Sequence, residues 1–290
     1  IMFSTTLMMG TLITTSASSW LSMWMGLEIN LLSMIPLMMS KTPMSSEASM
    51  KYFIIQAMTS SIMLMSIIMT LTKNFLLMNK ESILIYSALM TKMGAAPFHF
   101  WFPEIMEGLK WSFCLTMMTW QKMAPLILTM YTKVNLKITT LMILSSLMIG
   151  GMQGVNQTSL RKLMAFSSIS HLGWMISLTL MNSMMWAMYL MIYSIMSSSV
   201  IYMMSSQKIL YFKQMNTKMN KKQKTSLILN LLSMSGMPPL LGFFPKWITI
   251  NLLMSSKLTI TALTMTLITI ITMMMYIKLT LTMFTMNNNN

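Results

Sequence analysis

Four ionisable residues lie in the middle of apolar runs, where a charged group is difficult to accommodate. They are Glu28, Lys92, Lys122 and Lys246. A charge at the centre of a bilayer costs roughly 2.5–3.5 kcal/mol even on lenient insertion scales, so ionisable residues there usually mark an ion or proton pathway. A lysine near the end of an apolar run can extend its amine to the membrane surface, but these residues lie too deep for that.

Glu28 and Lys92 form the first candidate pair, because Glu28 is the only acid at such depth. Burial favours the neutral form of an amine, whereas a nearby carboxylate favours the charged form. A lysine balanced between these two effects releases or accepts a proton when its partner shifts. Arginine is unsuited to this role because it stays charged. The alternative interpretation is a static buried ion pair.

Lys122, His171 and Lys246 would extend this set of proton-carrying groups across the membrane plane. A neutral imidazole such as that of His171 can pass a proton between its two nitrogens. Structural alternatives exist for all three. The amines of Lys122 and Lys246 could bond to carbonyls left free near Pro125 and Pro245, and His171 could be a packing residue.

Other kinds of site have little support in the composition. The chain has one cysteine and two histidines, too few for a zinc or iron–sulfur centre within it, and it has no glycine-rich phosphate-binding motif. If the protein serves redox chemistry, we expect the cofactors to bind other chains. The formal net charge of +15 would suit nucleic acid. The basic residues, however, mostly flank apolar runs, so we predict no nucleic-acid partner.

The elements that position these residues are predicted to be transmembrane helices. The chain is 55% hydrophobic and only 9% charged, whereas a soluble domain has about 25% charged residues. A spanning helix needs about 20 mainly apolar residues, and about ten windows meet that condition. They are roughly residues 2–18, 20–39, 50–72, 83–102, 112–131, 138–154, 160–180, 184–204, 226–252 and 258–284. The predicted fold class is therefore an all-α polytopic membrane protein.

Basic residues are unevenly distributed between the connections of these helices. Connections that follow even-numbered helices carry most of them, namely Lys41, Lys51, Lys110, Arg161, Lys162, Lys208, Lys213, Lys218, Lys221, Lys222 and Lys224. The other side has Lys73, Lys80, Lys133, Lys137 and Lys257. By the positive-inside rule, the N-terminus and the 205–224 connection face the inside, which is the matrix in a mitochondrion. That connection is also predicted to contact lipid head groups, with a partner subunit as the alternative.

The chain divides near residue 135 into two halves, 1–135 and 136–290, of five predicted helices each. An odd number of helices makes the second half enter the membrane from the opposite side. The fourth helix of each half carries helix breakers and a lysine, in KMGAAP at 92–97 and in GMPPLLGFFPK at 236–246. Broken helices at matching positions of inverted repeats indicate an ion site. We expect His99 to cap or pack the first break.

Several segments resemble one known family. The most distinctive is KMGAAPFHFWFPE at 92–104. The others are GTLIT at 10–14, WMGLEIN at 24–30, TWQKMAP at 119–125, NQTSLRK at 156–162, SSISHLGW at 167–174 and GMPPLLGFFPKW at 236–247. In this order, along nearly the whole chain, they resemble the chain 2 family of mitochondrial NADH-ubiquinone oxidoreductases, the antiporter-like subunits of the membrane arm of respiratory complex I.

The resemblance implies roles for the buried charges in proton translocation coupled to electron transfer. Glu28 and Lys92 would act as a switching pair, Lys122 as the central relay, and Lys246 as the terminal group toward a neighbouring antiporter-like subunit, with His171 at a linking position. NADH, FMN, iron–sulfur clusters and ubiquinone would bind other subunits of the complex. Partners would be other membrane-arm subunits and membrane lipids, cardiolipin among them, in the mitochondrial inner membrane. The family commonly has a further helix after the window 258–284, where this chain has Asn287–Asn290.

Two other functions are compatible with the same residues. Inverted halves with broken helices also suit a stand-alone secondary cation/proton antiporter. A single deep carboxylate argues against a cation site, because hard cations need several oxygen ligands. A structural scaffold with static buried charges is the third hypothesis.

Overall fold

The computed structural model describes residues 2–40, 42–72, 78–181 and 184–285. Within these ranges the chain forms fourteen α-helices and no strand, which confirms the predicted fold class. The helices are α1 (Met2–Ser16), α2 (Trp20–Met38), α3 (Pro43–Leu71), α4 (Met78–Met93), α5 (Trp101–Gly108), α6 (Trp111–Met118), α7 (Trp120–Tyr131), α8 (Leu136–Val155), α9 (Leu160–Leu180), α10 (Met185–Ser206), α11 (Phe212–Lys218), α12 (Lys221–Ser235), α13 (Phe243–Ser255) and α14 (Thr259–Thr285). Lys41, Lys73 and Asn287–Asn290 lie outside the described residues, as do the side chains of Lys80 and Lys213.

Six helices are individually long and apolar enough to cross a bilayer, namely α2, α3, α8, α9, α10 and α14. The predicted windows 83–102, 112–131 and 226–252 are each divided between two shorter helices, α4 with α5, α6 with α7, and α12 with α13. The 15-residue α1 fills the first window. Two details differ from the prediction. The third helix begins at Pro43, a residue favoured in the first turn, and the fifth window is divided at Thr119 (φ −114°, ψ −70°).

Both predicted breaks are present and both contain a glycine in the left-handed region. Gly94 follows α4 with φ 70°, and Gly236 follows α12 with φ 84°. Glycine adopts this conformation without the steric cost that a Cβ brings, and it commonly ends a helix. The prolines beyond, Pro97 in the first break and Pro238 and Pro239 in the second, cannot continue the helical hydrogen bonds.

Helices at corresponding positions make corresponding contacts in residues 2–131 and in residues 136–285. The first helix lies along the second, α1 on α2 and α8 on α9, and the third contacts both parts of the broken fourth. The two close pairs depend on glycine. A Cβ at Gly26 would lie 2.5 Å from Cγ2 of Thr14, and a Cβ at Gly150 would lie 2.7 Å from the main-chain nitrogen of Ser170. Small residues of this kind let membrane helices approach closely.

The helix α9 is enclosed by the rest of the protein. Within its most apolar window 94% of the residues are buried, whereas the corresponding share in the other long helices is 33–44%. Its polar side chains therefore face other helices and not lipid. Ser167, Ser168, Ser170, His171 and Ser177 are all among its buried residues.

We predict that Gly26→Leu destabilises the bundle by about 1–3 kcal/mol, the usual cost of overpacking a tight contact. The added side chain would overlap Thr14 on α1. Thermal unfolding of the full chain in detergent, followed by circular dichroism, measures the effect. Met25→Leu is the matched control because Met25 is an exposed neighbour on the same helix. An unchanged midpoint for Gly26→Leu would contradict the close α1–α2 contact.

Candidate functional site

Glu28 and Lys92 lie near each other without forming an ion pair. Glu28 is half-buried on α2, and its buried Oε1 has no hydrogen-bond partner among the described residues. Lys92 is buried in the last turn of α4. The two side chains interact electrostatically, but among the described residues no ion pair within 4.0 Å joins them. Glu28 and Lys92 therefore do not form a direct ion pair among the described residues.

A small polar cavity of about 20 Å³ borders Lys92. Its polar lining consists of Asn30, Tyr52, Gln56 and Gln121. Gln121 Nε2 donates to Asn30 Oδ1 at 2.8 Å, whereas the buried Nε2 of Gln56 has no partner among the described residues. A cavity of about 10–15 Å³ already holds one water when polar groups line it. The space beside Lys92 is thus large enough and polar enough for a single water molecule.

These cavity residues were not among the sequence-predicted site residues. Asn30 and Gln121 lie inside motifs that the sequence analysis recorded, two residues after Glu28 and one before Lys122. The sequence pointed less clearly to Gln56, which is an isolated amide in the middle of an apolar helix. Which face of its helix an amide occupies depends on packing, so its part in the site becomes visible only in the structure.

Lys122 is the most deeply buried of the three lysines, with 1% of its surface exposed. Its Nζ donates to the main-chain oxygen of Ser168 on α9 at 3.2 Å. The same nitrogen lies 5.5 Å from the ring centre of Phe102 and 5.6 Å from that of Tyr193, distances at which aromatic faces stabilise a cation. The acceptor is thus on another helix, and the alternative that placed it near Pro125 was wrong.

Lys246 occupies the second helix break. It is buried in the first turn of α13, and its Nζ donates to the oxygen of Ser235, the last residue of α12, at 2.7 Å. A Cβ at Gly236 would lie 2.7 Å from this Nζ, so the glycine leaves room for the amine. The carbonyls at a helix C-terminus carry partial negative charge and favour a cation. The carbonyl is that of the preceding half-helix and not one next to Pro245.

His171 is buried on α9 and is close enough to Lys122 and Lys246 to interact electrostatically with both. Its Nδ1 is 2.9 Å from the hydroxyl of Tyr189, and its ring centre is 4.9 Å from that of Tyr193. The buried hydroxyl of Tyr193 faces Ser168, and the buried hydroxyl of Tyr276 faces Ser167, both on α9 beside His171. His171 is therefore hydrogen-bonded within a buried polar cluster, as both the linking role and the packing alternative require.

His99 has the packing role expected for it, although it is buried. Its Nδ1 lies 3.2 Å from the oxygen of Pro97, and its Nε2 lies 3.1 Å from Oε1 of Gln153 on α8. The imidazole thus joins the first helix break to the neighbouring helix. It is separate from the group formed by Lys122, His171 and Lys246.

The fold and the site define a class of antiporter-like membrane subunits. Residues 17–272 match the family model described as NADH:quinone oxidoreductase/Mrp antiporter, transmembrane. In fold, the chain is similar to a chain of respiratory complex I from Thermus thermophilus with bound aureothin. The TM-score is 0.87 and the identity 21%, over 96% of this chain and 69% of that one.

Sequence relatives identify the family more narrowly. NADH-ubiquinone oxidoreductase chain 2 of Anopheles gambiae is 49% identical, over 97% of this chain and 84% of the relative. The protein of that name from Locusta migratoria is 41% identical, over 100% and 86%. The chain belongs to the NADH-ubiquinone oxidoreductase chain 2 family, as the resemblance of its motifs indicated.

We predict that Lys122→Met leaves the stability of the chain unchanged or raises it. The buried amine has one carbonyl partner, and burying a charge without a counter-charge is costly, so an apolar side chain of similar length should not lower stability. The free energy of unfolding in detergent is the measurement, with Lys137→Met at the exposed start of α8 as the control. A loss of stability would instead favour a structural role for Lys122.

Proposed function

We propose that this chain translocates protons as a membrane-arm subunit of NADH-ubiquinone oxidoreductase in the mitochondrial inner membrane. The observation that carries the proposal is a set of buried amines and an imidazole, Lys92, Lys122, Lys246 and His171, without contact carboxylates among the described residues. Groups of this kind are expensive to bury and are retained where their protonation is used. The chain's membership of the chain 2 family supports the same function.

The separation of Glu28 from Lys92 suggests how the first step works. The interaction between two charges in a protein falls with distance and with the polarity between them. A shift of Glu28 toward Lys92 would favour the ammonium form, and a shift away would favour release of its proton. A free-energy change of about 1.4 kcal/mol alters the ratio of the two forms tenfold. A change of that size in the interaction with Glu28 is therefore enough to control this lysine.

The second half of the path runs through the enclosed helix α9. Lys122 and Lys246 each bond to one main-chain carbonyl, and His171 interacts with both amines. We infer that His171 exchanges protons between the two lysines, with Tyr189 holding its ring. The buried hydroxyls of Tyr193, Tyr276, Ser167 and Ser168 are the polar groups around which bridging water would bind.

The chain's own residues supply proton carriers and no redox chemistry in this proposal. NADH, FMN, iron–sulfur clusters and ubiquinone would bind partner subunits. One cysteine and two histidines are too few to hold an iron–sulfur cluster here, and the sequence has no glycine-rich motif for a nucleotide. The division into inverted repeats at 1–135 and 136–290 is part of the proposal, supported by the recurring packing partners. So is the matrix orientation of the N-terminus and the 205–224 connection, supported by the distribution of lysines.

A stand-alone cation/proton antiporter is the second candidate, favoured by the antiporter part of the family description. Reconstitution of the purified chain in liposomes separates the two. Cation exchange driven by a pH gradient, without other subunits, would support the antiporter. We expect none, because one half-buried carboxylate provides too few ligands for a cation.

We predict that Lys92→Met and Lys246→Met each lower proton pumping in the assembled complex by roughly tenfold. Positioned proton-transfer groups commonly contribute 10²–10⁴-fold to a rate, and methionine cannot carry a proton. Pumping by proteoliposomes and NADH-ubiquinone turnover are the measurements, with Lys137→Met as the control. Full coupled activity of both variants would end the proposal, and loss of assembly alone would favour the scaffold hypothesis.

We predict that Gln56→Leu lowers pumping while leaving the folded chain intact. The apolar side chain fills the cavity beside Lys92 and removes an amide that has no partner among the described residues, so stability should not fall. The measurement is the ratio of protons pumped to NADH oxidised. Gln207→Leu, at the end of α10, is the control. An unchanged ratio would show that the cavity lies outside the path.

A further inference from the structure

A groove of about 360 Å³ lies where several helices end at the same face of the bundle. It is lined by the residues that join α2 to α3 and α5 to α6, by the start of α9 and by the end of α10. These are the connections after even-numbered predicted helices. The groove is therefore at the level where a membrane protein meets the lipid head groups, on the side predicted to face the matrix.

Three cations line this cationic groove, Lys110, Arg161 and Lys208. A fourth lies at its edge, because Lys218 Nζ donates to the main-chain oxygen of Lys208 at 3.3 Å. Arg161 Nη1 donates to the oxygen of Leu109 at 2.6 Å, a contact that fixes the guanidinium group at the groove. Lys110 and Lys208 are exposed.

The acids of this face are already paired with other lysines. Glu107 also lines the groove, but it binds Lys162 at 2.6 Å. Glu47 and Glu104 both bind Lys51, at 2.9 and 3.1 Å. The three groove cations consequently have no carboxylate within 4.0 Å among the described residues. An excess of positive charge is left that an external anion would neutralise.

Apart from its charged residues and the hydroxyls of Ser40, Thr42 and Ser205, the groove is walled by apolar side chains. Met44, Leu109, Trp111 and Leu210 contribute to its walls. Tyr202, on the adjoining end of α10, is 73% exposed, and exposed tyrosines are typical of the membrane interface. A ligand that fits both parts has a negatively charged head and an apolar body, which a free phosphate ion does not have.

We propose that the cationic groove binds the phosphate head group of an anionic phospholipid. Cations near an anionic membrane surface each contribute about 1 kcal/mol to such binding. The walls come from both predicted halves of the chain. The first half contributes Ser40, Thr42, Met44 and residues 107–111, and the second contributes Arg161, Ser205, Lys208 and Leu210. The bound lipid joins the two halves at this face, independently of how protons move.

The test uses the full chain with Lys110 and Lys208 both replaced by Gln, because neither amine forms a hydrogen bond or an ion pair with the described residues. The chain is reconstituted in nanodiscs that contain phosphatidylglycerol and phosphatidylcholine, and retained lipid is counted by native mass spectrometry. We expect phosphatidylglycerol to be retained by the unmodified chain. The double variant should bind it about 25-fold more weakly, fivefold per charge.

The matched control removes two exposed lysines from the opposite face, Lys133 and Lys137, and should retain the lipid. Three results would each overturn the proposal. One is equal retention of phosphatidylcholine, another is equal loss in the control, and the third is displacement of the lipid by millimolar inorganic phosphate. Carbodiimide cross-linking of Lys110 or Lys208 to a carboxylate of another protein in native membranes would assign the groove to a partner subunit instead.

Discussion

A hydrogen bond from a buried amine to a main-chain carbonyl is the interaction around which this protein is organised. In a bilayer, main-chain polar groups must find partners within the protein, and a helix that stops at membrane depth leaves its last carbonyls without them. Lys246 satisfies the carbonyl of Ser235 at such an end. The amine gives the helix end a hydrogen-bond donor, and the helix end gives the buried amine an acceptor. Gly236 leaves the space in which they meet.

Each broken helix has a lysine close to its left-handed glycine, but the lysine precedes the glycine in the first break and follows it in the second. Lys92 lies at the end of the half-helix before Gly94, whereas Lys246 lies at the start of the half-helix after Gly236. Lys92 borders a polar cavity and interacts with Glu28. Lys246 instead contacts a carbonyl and interacts with His171. Similar packing of the helices therefore supports two electrostatic environments, one governed by a carboxylate and one by an imidazole.

Much of this arrangement could be predicted because membrane burial imposes strong local rules. A lysine in a run of apolar residues is anomalous whatever its neighbours, so Lys92, Lys122 and Lys246 stand out in the sequence. The breaks at Gly94 and Gly236 follow from glycine and proline chemistry. The resemblance of the motifs to the chain 2 family then predicts that these residues act together.

The partners of these groups could not be predicted in the same way. The carbonyl that accepts from Lys122 belongs to Ser168, forty-six residues along the chain, and only the crossing of two helices brings it close. The division at Thr119 contains no glycine or proline, so no local residue signals it. The place of Gln56 beside Lys92 likewise depends on how α3 is rotated, which an evenly apolar sequence does not specify.

The enclosure of α9 has a consequence for how the protein is made. This helix is synthesised before α10 and α12–α14, so its polar residues meet lipid before the helices that later surround them are present. Its buried hydroxyls already bond to carbonyls of their own helix, as Ser167 does to Met164 and Ser170 to Ser167, both at 2.7 Å. His171 depends on the hydroxyl of Tyr189, which lies on the next helix. His171 also bonds to the main chain of Met234 on α12, so its imidazole gains all of these partners only after both α10 and α12 have been made.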